Sequence, residues 1–143
     1  MTHATSMSAQ EFAERYVGVW NEASPEVRRT LIRELWSEQG EHVLQPPIEM
    51  REIARRIGFA EPKLELRGHL ALEARVKRAY EDFVAGGKYV FRPAPHAERL
   101  RDHIKFNWEM VSTSDGSVAA EGLNVVVVDD EERIRLDYTF IDP

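Results

Sequence analysis

Five histidines, no cysteine and a handful of aromatic and amide side chains are the raw material for chemistry in this chain. His42 and His103 fall on predicted strands, His69 opens a predicted helix, and His3 and His96 sit in predicted loops. No two share the i, i+4 spacing that sets two ligands on one helix face, and no carboxylate is placed as a third ligand, so no metal site is expected. Without cysteine there is no disulfide, thiolate ligand or cysteine nucleophile. His103 has two readings. A near-neutral pKa suits a general base, but a strand face shared with Lys105 and Asn107 suits an exposed or interface residue. Asn124 interrupts LNVVVV; its amide could orient a carbonyl or simply bond a neighbouring side chain. Tyr16, Trp20, Trp108 and Tyr138 recur at core spacing, and packing is the plainer reading of each. A buried phenol still needs a partner, which makes Tyr16 the main polar handle among them. The mixed charges at 51–56 read as a solvated helix face.

The elements that must hold these groups can be read in order. Ser8 and Glu11 form a capping box, and Phe12, Tyr16, Val19 and Trp20 follow as an amphipathic stripe. Residues 21–24 break it. Ser24-Pro25 restarts a helix whose stripe is Val27, Leu31, Leu35 and Trp36, with Arg28, Arg29, Arg33 and Glu34 facing water and Gly40 as its stop. Residues 41–45 form a short strand ended by Pro46-Pro47. Residues 48–58 are a short helix or turn with Met50, Ile53 and Ile57 as an apolar seam, and 63–67 could be extended. Gly68 precedes a helix over 69–84 with Leu72, Val76, Tyr80 and Phe83 on one face. Residues 88–92 are a strand and 93–98 a loop. Ile104, Phe106, Trp108 and Met110 then alternate with polar residues as in a half-buried strand. A turn at Asp115-Gly116 leads to a second strand over 118–128, and a turn at 129–132 leads to a third over 133–141. Helices followed by a long meander predict an α+β fold, with helices covering one face of a curved sheet.

At 143 residues the chain fits one domain with room for a core. Residues 1–7 are expected to be a disordered lead and 8–143 a single domain. A hydrophobic fraction of 43% and a charged fraction of 31% are those of ordinary globular proteins. The net charge of −6, with arginines dispersed among glutamates, argues against a nucleic-acid surface. No apolar run approaches the roughly 18 residues of a membrane span. The first ten residues lack the charged and apolar regions of a secretory signal, so a cytoplasmic location is expected. No cofactor is expected.

A set of residues in this order resembles the NTF2-like superfamily, and within it the SnoaL-like, polyketide cyclase-like branch. They are FAERYVGVWNEA in the first helix, a strand ending in QPP, and Gly68 before a helix carrying Tyr80-Glu81-Asp82-Phe83. FNWEM, Asp115-Gly116, Glu121-Gly122, the Val-rich strand, and Arg133-Ile134 leading to Phe140-Ile141-Asp142 complete it. The resemblance implies a cone of three to four helices on a strongly curved, mixed, mostly antiparallel sheet. It also implies an apolar pocket for a small molecule and a homodimer through the long C-terminal strands. Tyr16, Trp20, Gln45, Phe83, Trp108, Asn124 and Tyr138 would then be ligand-binding residues. Isomerases of the superfamily place a carboxylate beside the Pro-Pro pair; here Leu44 and Gln45 stand there, and neither takes a proton at neutral pH. Cyclases and epoxide hydrolases place an aspartate in the last strand; gapless counting reaches Thr139, with Asp137 two residues earlier on the same face. The resemblance thus implies a pocket protein binding or processing a small molecule. The alternatives are an enzyme with Asp137 or His103 as base, Tyr16 and Asn124 orienting a carbonyl, and a dimeric scaffold without catalysis.

Overall fold

The structure, a computed structural model, describes residues 7–58 and 63–142. The expected disordered lead falls outside the described residues except for Met7, which packs against the core. Helix α1 (Ala9–Asn21) starts at a complete capping box. The Ser8 hydroxyl accepts from the Glu11 N–H, and the Glu11 carboxylate accepts from the Ser8 N–H. Phe12, Ala13, Tyr16, Val17 and Val19 form its buried stripe. Helix α2 (Pro25–Leu35) is capped by the Ser24 hydroxyl. Its buried face is Arg28, Ile32 and Leu35, one residue round from the predicted stripe, and Val27 is exposed. Arg28 turns inward rather than to water. Its guanidinium donates to the Glu22 and Ala23 carbonyls and lies 4.9 Å from the centre of the Tyr80 ring.

Gly40 does not end this helix. The chain passes from Leu35 directly into β1 (Trp36–Gln45), a ten-residue strand with a bulge between Trp36 and Glu41. Gly40 sits in that irregular stretch because nothing larger fits. A Cβ there would lie 2.8 Å from the Ile134 carbonyl oxygen and 2.9 Å from the Trp36 indole.

Next come α3 (Ile48–Arg56), β2 (Leu64–Arg67), and α4 (His69–Ala79), which runs into a π-helical turn (Tyr80–Val84). The strands β3 (Tyr89–Pro93), β4 (Glu98–Leu100), β5 (His103–Ser112), β6 (Val118–Val128) and β7 (Ile134–Asp142) complete the chain. Two further features depart from the prediction: β4 was not anticipated, and the seam on α3 is not buried. Met50, Ile53 and Ile57 are all exposed, since α3 packs no residue into the core.

The seven strands form one open sheet in the order β2–β1–β7–β6–β5–β3, with β4 beside β5. β1 and β7 pair in parallel and the other pairs are antiparallel, so the sheet is mixed but mostly antiparallel. Helices α1, α2 and α4 cover its inner face around Trp36, Phe106, Ile32, Leu72, Ile104 and Ile134, as the predicted α+β cone requires. Strand alternation then settles which residues share that face. Asn124 lies opposite Phe106 and Thr139, Val126 lies opposite Asp137, and His42 is the parallel partner of Asp137.

Replacing Gly40 with valine forces its side chain against the Ile134 backbone. We expect a loss of about 2 kcal/mol of folding stability, read as a lowered urea midpoint at unchanged slope.

Candidate functional site

The inner faces of β6 and β7 and the buried stripe of α1 bring four polar side chains together where the sheet meets the helices. Asp137 has no exposed surface. Its Oδ2 accepts from the Tyr16 hydroxyl at 2.5 Å and its Oδ1 accepts from Asn124 Nδ2 at 2.7 Å. Nδ2 also lies 2.9 Å from the Tyr16 oxygen and 2.7 Å from Thr139 Oγ1. An amide nitrogen has two hydrogens, so it serves two of these three acceptors at a time. The amide is held in this sense from its other end. Trp108 Nε1, which can only donate, points at Asn124 Oδ1 at 2.7 Å. The Trp108 indole reaches that oxygen by crossing Gly122, where a Cβ would lie 2.1 Å from the ring.

His42 joins the cluster from β1. Arg75 Nη1 stands 3.1 Å from Nδ1, and a guanidinium only donates, so Nδ1 is an acceptor and the ring proton is on Nε2. Nε2–H then donates to Thr139 Oγ1 at 2.9 Å. Burial, and after it the neighbouring Arg75 charge, hold the imidazole pKa down to about 3. His42 is therefore neutral, and its 3.8 Å approach to Asp137 Oδ2 is not an ion pair.

Asp137 is the poised group. Burial pushes its pKa up to about 7, against the hydrogen bonds from Tyr16, Asn124 and Thr139 and the charge of Arg75, which lower it. Burial, with the adjacent carboxylate, raises Tyr16 well above an ordinary phenol, so Tyr16 keeps its proton.

Above this floor opens a cavity of about 660 Å³. Tyr16, Trp20, His42, Arg75, Trp108, Asn124 and Thr139 contribute to its wall, and the remainder is mostly apolar, including Phe83, Phe91 and Leu44. Asp137 is not at the wall; it lies behind Tyr16, His42, Asn124 and Thr139. Phe83, Phe91 and Trp108 stand edge to face, with centroids 6.4 and 5.6 Å apart. The Trp20 indole N–H is buried without a partner among the described residues.

Of the predicted site residues, Tyr16, Trp20, Phe83, Trp108 and Asn124 line this cavity. Three lie elsewhere, each by strand parity. Gln45 follows Leu44, faces the other side of β1 and borders a separate depression with Arg51 and Phe140. Tyr138 lies between Asp137 and Thr139 and is 38% exposed on the outer face. His103, weighed as a base at the pocket mouth, is instead exposed at the start of β5 and pairs with Asp102 at 2.8 Å. Sequence reasoning missed His42 and Arg75. The available signals were the shared parity of His42 and Leu44 on β1, and the position of Arg75 one turn from Leu72, flanking the buried stripe of α4. No group of three or more residues suited to a metal ion occurs among the described residues, and no helix there is long and apolar enough to cross a membrane.

No protein-family model and no curated protein matches the chain. Solved structures do. A SnoaL-like family protein from Agrobacterium tumefaciens, itself proposed as an isomerase, is 25% identical with a TM-score of 0.75, covering 96% of this chain and 100% of that one. A SnoaL-like protein of unknown function from Burkholderia thailandensis is 16% identical with a TM-score of 0.62, covering 99% and 98%. An NTF2-like protein of unknown function from an Exiguobacterium species is 17% identical with a TM-score of 0.61, covering 92% and 98%.

The shifted carboxyl has a stability signature. A carboxyl that stays protonated in the folded state up to about 7, but ionises in the unfolded chain near 4, lowers stability as pH rises between those values. Asp137→Asn removes that loss. The stability of the variant minus that of the native chain should rise by about 1.4 kcal/mol per pH unit from pH 4.5 to 6.5, measured by urea denaturation.

Proposed function

Given that the chain is an NTF2-like protein of the SnoaL-like branch, we propose that it binds and processes a small apolar molecule, presenting one oxygen of that molecule to Tyr16. One observation carries this reading: the Tyr16 hydroxyl sits in the wall of a largely apolar cavity and is joined from behind to a carboxyl with a pKa about 7. The proton's place follows from the geometry. Asp137 Oδ1 faces an Asn124 N–H, so a proton on Asp137 sits on Oδ2 and donates to the Tyr16 oxygen. The Tyr16 hydrogen is then free to turn toward a carbonyl, alkoxide or epoxide oxygen in the cavity. When Asp137 ionises, it takes that hydrogen bond back. Tyr16 is thus a general acid whose proton is restored by Asp137, with Asn124 fixing both partners. His42 Nε2–H is spent on Thr139 and Nδ1 on Arg75, and its low pKa makes it a poor base.

The test uses 2-acetylnaphthalene as a neutral ketone and follows the tryptophan fluorescence of Trp20 and Trp108, which border the cavity. Binding should weaken as pH rises through about 7, because the ionised carboxylate reclaims the Tyr16 hydrogen. Tyr16→Phe should weaken it about five-fold at pH 6 and abolish the pH dependence. Affinity independent of both pH and Tyr16 rejects the reading.

The outer face of the sheet supports a second part of the proposal, a homodimer. Leu123, Val125, Leu136, Tyr138 and Phe140 are register neighbours on β6 and β7, with Tyr138 38% and Phe140 42% exposed. A contiguous apolar face of this kind is uncommon on a monomer. Light scattering should give twice the 16.5 kDa chain mass, and Tyr138→Glu with Phe140→Glu should halve it. A native chain that scatters as a monomer at working concentration removes the dimer.

A further inference from the structure

We propose that the cavity's occupant is an apolar carboxylic acid whose carboxylate is held by Arg75. This rests on the cavity being a ligand site and adds the ligand's charge. The charges at the cavity wall do not cancel. Arg78, Asp82 and Arg75 contribute to it along with His42. Arg78 and Asp82 cancel, Nε to Oδ2 at 3.1 Å one helical turn apart. His42 is neutral, being buried with its Nδ1 accepting from Arg75. Asp137 lies behind the wall, screened from the cavity by Tyr16, Asn124, Thr139 and His42. That leaves one positive charge on the cavity, and among the described residues no carboxylate lies within ion-pair distance of Arg75.

The protein bonds of Arg75 run through Nη1 alone, to His42 Nδ1 at 3.1 Å and, at the long distance of 3.5 Å, to the Leu64 carbonyl. Among the described residues Nε and Nη2 have no protein partner. Burial lowers the pKa of this group, against the pull of Tyr16 and Asp137, which act on it without an ion pair. A guanidinium offering one free edge, the paired Nε and Nη2 N–H groups, beside an apolar wall matches the planar, two-oxygen geometry of a carboxylate. The hydrogen bond to His42 fixes the plane of the fork before a ligand arrives. The ligand's body would lie along Phe83, Phe91 and Trp108, whose edge-to-face rings suit a flat hydrocarbon.

Naphthalene-2-carboxylate and naphthalene-2-carboxamide test this, since they share a shape and differ in charge. By titration calorimetry at pH 7 with the native chain, the carboxylate should bind at least ten times more tightly than the amide. Arg75→Met should abolish the preference, bringing the two probes to equal affinity, with an unchanged far-ultraviolet circular dichroism spectrum showing that the variant is folded. Arg75→Lys should retain part of the preference, as a charge without the fork. Equal binding of the two probes to the native chain overturns the carboxylate assignment and leaves the pocket reading standing. Binding of neither overturns both. A preference for the carboxylate that survives in Arg75→Met assigns the charge to another residue and also overturns the proposal.

Discussion

A carboxyl group with no exposed surface is the constraint around which this molecule is built. Left alone inside a protein, the charge of Asp137 would cost several kcal/mol. Four residues from four other elements, and one from its own strand, make it tolerable. Tyr16 of α1 and Asn124 of β6 donate to it, and Thr139 of β7 adds to them. Arg75 of α4 contributes its charge from beyond His42 of β1. The result is a group balanced between two protonation states near neutrality. That balance requires the helices to sit at a fixed distance from the sheet, because Tyr16 must reach 2.5 Å from Oδ2 while also facing the cavity.

Two donor-only groups at the rim remove the remaining freedom. The Trp108 indole N–H leaves Asn124 no choice about which end of its amide faces inward. The Arg75 guanidinium leaves His42 no choice of tautomer. Each acts on the site through another residue, and each lies on the cavity wall itself. An occupant that pulls on either group therefore alters the hydrogen bonding one layer deeper. The crossing of Trp108 over Gly122 is part of this device: a methyl group at Gly122 would occupy the volume of the ring.

Much of this fold was legible in the sequence, because capping boxes and alternating strands are local signals. Ser8 with Glu11, Ser24 with Pro25, and the Ile104–Met110 alternation name their elements without help from the rest of the chain. Departures from prediction arise where tertiary contacts override the local pattern. Gly40 looks like a helix stop because glycine often is one, yet it was selected by the approach of Ile134, nearly a hundred residues away in sequence. Arg28 looks like a surface residue because its partners are backbone carbonyls, which carry no sequence signature. In the site, Tyr16 and Asn124 stood out as polar groups among apolar neighbours. Which face of the last strand is buried depends on register, so the sequence left Asp137, Tyr138 and Thr139 unsorted. His42 and Arg75 gain their roles only from each other, across 33 residues.

The parallel pairing of β1 with β7 sets a timetable for the chain's synthesis. β7 lies between β1 and β6, so a nascent chain that has made everything through residue 133 still lacks the strand joining the two halves of its sheet. Until the last nine-residue strand leaves the ribosome, β1 and β6 each present a bare edge, and the helices have half a floor to settle on. The bond from Tyr16 to Asp137 spans 121 residues, so the site is among the last things that can form. Products stalled before β7 would thus be sticky and inert together, and a folded core certifies that translation has passed residue 142.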